Sequence, residues 1–198
     1  MSVYCRIAPG HPVHASYHDT EYGFHQTDET VLFERLCLEI MQAGLTWELI
    51  LKRRPGMQVA FAGFKVDAVA NFGEPEVARL LADPAIIRNR LKVAAIVENA
   101  RRVRALRDSA GGFSAWLETH HPLDKPAWLK LFKSTFLFTG GEIVGEFLMS
   151  LGYLPGAHAP ECPVSAILAR RPPPWMAALP GECRPPAHAD LPGGEVGE

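Results

Sequence analysis

No stretch of this chain approaches the ~20 consecutive apolar residues that a membrane-spanning helix requires, so no membrane partner is expected. The opening Met1-Ser2-Val3-Tyr4-Cys5-Arg6 lacks the basic end and apolar run of a secretion signal, which points to a cytoplasmic, nucleoid-associated setting. Positive charge is not in surplus either. Twenty Lys and Arg against 22 Asp and Glu leave a formal net charge of −2, which argues against affinity resting on wide phosphate neutralisation. Sustained alternation of apolar and polar residues is missing, and with it the signature of a sheet-based fold. Cysteine is scarce at four residues, and in an intracellular chain these suggest metal binding or packing before disulfides. There is no internal repeat.

What remains is a soluble globular composition, with 47% apolar and 21% charged residues over 198 positions, enough for one domain with a real core. The chain reads as all-α. Thr27-Asp28-Glu29 offers a cap and first-turn acids to a helix ending at Gly44. Thr46 caps a second helix, expected to stop at Arg53 before Pro55-Gly56. Short helices follow at Val66–Asn71 and Pro75–Ala82, and a long one runs from about Arg90 to Arg107. Phe113–Thr119, Lys125–Lys133 and Glu142–Leu151 complete the set, with Phe136–Gly141 extended or turning. From Arg170 onward the runs Arg170-Arg171-Pro172-Pro173-Pro174 and Arg184-Pro185-Pro186 break helices, so residues 170–198 are read as a Pro-rich disordered tail beyond a domain at 1–169.

The most informative residue is Glu39. Leu32, Leu36, Glu39 and Ala43 follow one another at helical spacing, so a carboxylate stands on an apolar stripe. Burying one without partners costs several kcal/mol or protonates it. Trp47, three residues past Gly44, places a π-surface nearby. Together they suit a flat, hydrogen-bonding heterocycle. The alternative is that Glu39 lies at the edge of the stripe and pairs with Arg35 or a later lysine.

Two further groups carry chemistry. Cys5 and His18 near one end, with His158 and Cys162 near the other, make an acceptable tetrahedral Zn²⁺ set that would clip the two ends together. His11, His14, Cys183 and His188 compete for the same role. The segment from Leu80 to Val93 has the layout of a helix-hairpin-helix, which binds DNA through backbone amides and helix N-termini. Arg88, Arg90 and Lys92 would add charge to it. They belong to a local basic run with Arg101, Arg102 and Arg104 against the single acid Glu98. A plain helical hairpin with a solvated face is the other reading.

In combination these pieces are recognisable. Cys5, Tyr17-His18-Asp19, Glu21-Tyr22-Gly23, Leu36-Cys37-Leu38-Glu39, Gln42-Ala43-Gly44-Leu45-Thr46-Trp47, Leu51-Lys52-Arg53, Ile86-Ile87-Arg88-Asn89-Arg90, Phe136-Leu137-Phe138-Thr139-Gly140 and His158 with Cys162 closely resemble the 3-methyladenine DNA glycosylase I family. The likeness runs from about Tyr4 to Pro163. It implies a helical glycosylase of the helix-hairpin-helix superfamily, with the hairpin at about 75–107 and one structural zinc on Cys5, His18, His158 and Cys162. Glu39 is implied as the catalytic residue, and Glu39, Trp47 and Tyr17 as base-binding residues. Tyr17 and Trp47 would stack on the base, and Glu39 would accept from its exocyclic amine. Arg88, Asn89, Arg90, Lys92 and Gly140 are expected to contact DNA. The implied activity is monofunctional hydrolysis of the N-glycosidic bond of 3-methyladenine in double-stranded alkylated DNA, by a monomer; binding without efficient excision is the alternative. The chain departs from the family pattern at Ile7, where Trp is common, at His14, where an aromatic is common, and at Ala85 and Leu91, where Gly is frequent.

Overall fold

The structure, a computed structural model, describes residues 3–177. Among these residues there are only helices, turns and irregular segments, with no strand, as the patterning predicts. Helices α1 (Val3–Ile7) and α2 (Ala15–Thr20) precede the central helix α3 (Glu29–Gln42) and α4 (Trp47–Ala60). A 3₁₀ turn (Ala62–Phe64) leads to α5 (Val66–Ala70), α6 (Glu74–Ala82) and the long α7 (Arg90–Ala110). Then come α8 (Phe113–His120), α9 (Lys125–Thr135), α10 (Gly141–Ser150), α11 (Pro163–Arg170) and the single turn α12 (Pro174–Ala177).

Helix α3 is the axis of the core. Every residue from Leu32 to Met41 is buried, because α4, α7, α8 and α10 all pack on it. Asp28 starts it by accepting from the Val31 amide at 3.0 Å, and Gly44, at φ +79°, turns the chain out of it. Behind α3 an aromatic cluster of Phe113, Trp116, Phe132, Phe136 and Phe147 joins α8, α9 and α10. Truncating any of these rings to Ala would cost about 3–5 kcal/mol.

Charged groups tie the helices on the other side. Arg54 of α4 donates to Glu34 of α3 at 2.9 Å and to Glu21 at 2.9 Å, and Glu21 also accepts from Arg35 at 2.7 Å. Helix α4 runs straight through Pro55 rather than stopping at Arg53. These bonds and the Ala60 and Met57 packing hold its last turns, so tertiary contact overrides the proline.

The basic run on α7 has an unexpected use. Lys92 is buried, and its ammonium donates to the carbonyls of Met41 at 2.8 Å and Ala43 at 2.6 Å, at the C-terminus of α3. Arg101 donates to Ala70 and Phe72 past the end of α5, and Arg102 to Thr135 at the end of α9. Arg104 reaches Asn71, and Arg107 pairs with Glu29 and Asp67. The long helix thus supplies cations to the carbonyl ends of three others, where the orphan acceptors and the helix dipole favour them.

The first residues of the segment read as a tail, up to Ala177, are among the described residues. Pro173 is buried against Gly152, where a Cβ would lie 2.4 Å from it, and the Trp175 amide donates to the Gly152 carbonyl at 3.0 Å. Residues 171–177 are therefore part of the domain. The remainder of the expected tail, with Cys183 and His188, lies outside the described residues.

Candidate functional site

The two chain ends meet at four side chains. Cys5 from α1, His18 from α2, and His158 and Cys162 from the loop before α11 bring one ligand atom each within 4.8 Å of one another. The Sγ of Cys5 and of Cys162 lie 3.7 and 3.6 Å from His158 Nδ1, and Cys162 Sγ lies 3.7 Å from His18 Nε2. In a tetrahedron with Zn–S of ~2.3 Å and Zn–N of ~2.05 Å, each S···N edge would be about 3.6 Å. Three of the four S···N edges are thus at the spacing that a Zn²⁺ ion would set.

The outer contacts agree with that fit. His18 Nδ1 bonds Asp19 Oδ1 at 2.7 Å, and His158 Nε2 donates to the Tyr22 carbonyl at 2.7 Å. Each ring thereby keeps its proton on the nitrogen facing away from the cluster and offers the other as a lone pair. Burial holds His158 below the ordinary imidazole range, which favours the neutral, ligating form. Gly23, at φ +84°, makes room: a Cβ there would stand 3.2 Å from the His158 ring.

His11, His14 and Glu48 form a second cluster of possible ligands. It is the weaker one. Glu48 is paired with Lys52 at 2.7 Å, and His11 Nδ1 already accepts from the amides of Val13 and His14.

Beside the four-residue cluster lies a pocket of about 810 Å³ between α3, α10 and the N-terminal segment. Glu39, Trp47, Tyr4, Tyr17, Tyr22 and Glu146 line it, with Gly140 and Gly141 at the start of α10. Glu39 is 5% exposed, and among the described residues no protein group donates a hydrogen bond to its carboxylate. Arg35, the alternative partner, is committed to Glu21 instead. Burial first, and then the neighbouring Glu146 charge, push the Glu39 carboxyl well above the usual carboxylate range, while Arg35 pulls the other way. Glu39 therefore lies in the interior facing the cavity, and not at the edge of the stripe.

Trp47 is half-buried at the start of α4, held there by the Thr46 cap, whose hydroxyl accepts from the Leu49 amide at 3.4 Å. Tyr17 does not form a second plate parallel to it. Its ring meets Trp47 edge to face, with centroids 5.0 Å apart and planes at 61°, and Arg35 lies over it at 4.7 Å. A base cannot be sandwiched between these two rings. Tyr17 is buried and lines the pocket edge-on to Trp47.

Of the residues expected to contact DNA, Arg88, Asn89 and Arg90 are exposed, and Gly140 sits at the pocket rim. Asn89 accepts from the amides of Leu91 and Lys92, so the start of α7 is already capped by its own side chain. Lys92 points into the protein and is removed from the set. By contrast Gly140 stands just before the first residue of α10 and gives it no side-chain cap. The loop before it, tied to α7 by reciprocal Asn99–Leu137 bonds of 3.0 and 2.7 Å, exposes Leu137 and Phe138, the latter at φ +59°. Ile7 is exposed on α1, and His14 is buried against the Tyr4 ring at 5.5 Å; neither lines the pocket.

Sequence reasoning missed Tyr22 and Glu146. Tyr22 donates its hydroxyl to Glu146 at 2.9 Å across the cavity. Their signal existed: Glu142, Glu146 and Met149 recur at helical spacing on α10, the same kind of stripe that exposed Glu39.

Comparison with known proteins agrees with this geometry. Residues 7–133 match the family described as methyladenine glycosylase. The chain is 29% identical over 182 residues to the DNA-3-methyladenine glycosylase of Haemophilus influenzae, covering 82% of this chain and 98% of that protein. It is 46% identical over 90 residues to DNA-3-methyladenine glycosylase 1 of Escherichia coli, a match spanning 46% of this chain and about half, 48%, of that relative. A crystal structure of 3-methyladenine DNA glycosylase I superposes with a TM-score of 0.72 at 30% identity, covering 80% of this chain and 97% of the other. The Staphylococcus aureus enzyme, solved for its recognition of 3-methyladenine, gives 0.71 at 29% identity over 81% and 95% of the two chains.

Proposed function

Because the chain belongs to the methyladenine glycosylase family, we propose that it hydrolyses the N-glycosidic bond of 3-methyladenine in alkylated double-stranded DNA, releasing the free base without cutting the strand. The observation that carries this is Glu39: a carboxylate buried at the wall of an open cavity, beside Trp47, with no donor from the described protein. Such an acceptor is costly unless a ligand satisfies it.

An adenine methylated at N3 is cationic, so its bond to the sugar is already weakened. The protein must flip the nucleotide, hold the base and admit water to the sugar. Trp47 supplies the stacking face and a cation–π attraction, with Tyr17 edge-on to it. Glu39 accepts from the exocyclic amine. Its raised pKa has a consequence: entry of the cationic ring favours the ionised carboxylate, so binding is coupled to loss of the Glu39 proton. Neutral adenine offers neither the charge nor the weakened bond.

The duplex is gripped at the pocket mouth. The uncapped amides at the start of α10, around Gly140 and Gly141, are placed to take a phosphate, and the exposed Leu137 and Phe138 offer an apolar lip against unstacked bases. Arg88 and Arg90 add charge. Cys5, His18, His158 and Cys162 would hold one Zn²⁺. The ion supplies structure, fixing the segment that carries Tyr4 and Tyr17 to the loop before α11.

The test is to incubate the protein with duplex DNA treated with a methylating agent and chromatograph the released bases. Free 3-methyladenine, lost with Glu39→Gln, is the expected result. Binding to the DNA with no base release would favour a recognition module in its place.

A further inference from the structure

Glu39 is not the only acid facing the cavity. Glu146, half-buried on α10, also lines it, as does the exposed Glu142 one turn earlier. Tyr22 fixes Glu146 by donating to Oε2 at 2.9 Å. Among the described residues nothing donates to its other oxygen. Lys125 of α9 is the cation whose charge reaches it, and Glu142 the anion. The field of Glu146 also reaches Glu39, so the two carboxylates act on one space.

Two carboxyls converging on one cavity repel each other when the cavity is empty, and a cation between them relieves both. Packing does not require an acid at position 146. A neutral side chain would accept from Tyr22 equally well, since the phenol needs only an oxygen. What an acid adds is a second negative charge on the cavity that Glu39 lines.

We propose that Glu146 is a second recognition carboxylate, and that Glu39 and Glu146 together select purines that carry a positive charge. The inference rests on the reading of this cavity as the base site. It names the substrate class by charge: cationic N-alkylated purines over neutral ones of the same shape. Tyr22 holds one oxygen of that carboxylate and supplies no charge of its own.

The experiment measures, by calorimetry on the full chain, the affinity for two probes of nearly equal shape. One is the 3,9-dimethyladeninium cation, whose charge is fixed and whose N9 methyl stands for the sugar; the other is neutral 9-methyladenine. Glu146→Gln keeps an acceptor for Tyr22 and removes the charge. It should lower the cation-to-neutral affinity ratio about tenfold while leaving the neutral probe unchanged. Tyr22→Phe keeps the charge and removes the bond, so the ratio should stay within about threefold of the parent even if both affinities drop. An unchanged ratio in Glu146→Gln overturns the proposal. So does an equal loss for both probes, which would make Glu146 a structural group only. The excision assay stands apart. Charge selection through Glu146 without base release would remove the glycosylase reading and keep this one, and release with no change in Glu146→Gln would do the reverse.

Discussion

Replacing Glu39 with Gln should make the protein more stable and less active at once. In the unfolded chain the carboxyl ionises near ~4.3. In the folded protein burial and Glu146 push that ionisation well upward. The sign follows. Above the unfolded value the native state either holds a proton that the unfolded chain has released or carries a poorly solvated charge, so stability falls as pH rises until the folded pKa is passed. Each pH unit over which the folded protein keeps a proton that the unfolded chain has lost costs ~1.36 kcal/mol. Burying an acceptor without a donor costs about 1–3 kcal/mol, and since Arg35 offsets part of it the isosteric amide should gain up to that amount. For a chain of this size that is a rise of roughly 2–4 °C in Tm per kcal/mol. The assay is thermal melting of both proteins from pH 4 to pH 8. The difference should be near zero at pH 4 and should grow with pH. Excision by the variant should fall about 10- to 100-fold, the loss of one charge-assisted hydrogen bond. A Glu39→Gln protein that melts lower than the parent at pH 7, or whose difference ignores pH, would refute the claim that this carboxylate is held at a cost.

Further expectations concern the pH profile, the metal and the cations of α7. Excision by the parent should decline as pH drops through the raised Glu39 pKa, because only the ionised carboxylate pairs with the cationic base; a flat profile down to pH 5 would count against it. Removing the metal with a strong chelator, or Cys162→Ala, should lower stability by on the order of 3 kcal/mol, the scale of opening a long cross-linked loop. Elemental analysis of the purified protein should find one zinc per chain. Lys92→Met should cost about 1–3 kcal/mol by leaving the Met41 and Ala43 carbonyls without their donor, yet leave the salt dependence of DNA binding unchanged. Arg88→Ala should do the opposite, reducing the slope of log affinity against log salt by about 1 at little cost in stability.

The contrast between Lys92 and Glu39 marks what the chain discloses. Glu39 was legible because helical periodicity ties a residue to its own α3 neighbours, which are local in sequence. The metal group was legible from residue chemistry, although only the resemblance selected Cys5, His18, His158 and Cys162 over their competitors. Lys92 was not legible, because its partners are the carbonyls of Met41 and Ala43, some fifty residues away, and no periodic pattern encodes which helix end a long side chain will reach. The same holds for Arg101 and Arg102, whose clustering suggested a solvated or DNA-facing surface. Pro55 and Pro173 failed in another way. Their local rules are sound, but tertiary contacts at Glu34–Arg54 and at Gly152 outweigh them. The crossed planes of Tyr17 and Trp47 also lie beyond residue type, since they depend on how α2 and α4 meet.

The central claim is that the cavity holding Glu39 takes a flipped, cationic base and lets water cleave its bond to the sugar. Chromatography of bases released from methylated duplex DNA tests it most directly. The parent protein should release free 3-methyladenine, Glu39→Gln should release far less, and the strands should stay intact in both. Tight binding of the methylated duplex with no base in the filtrate would contradict it.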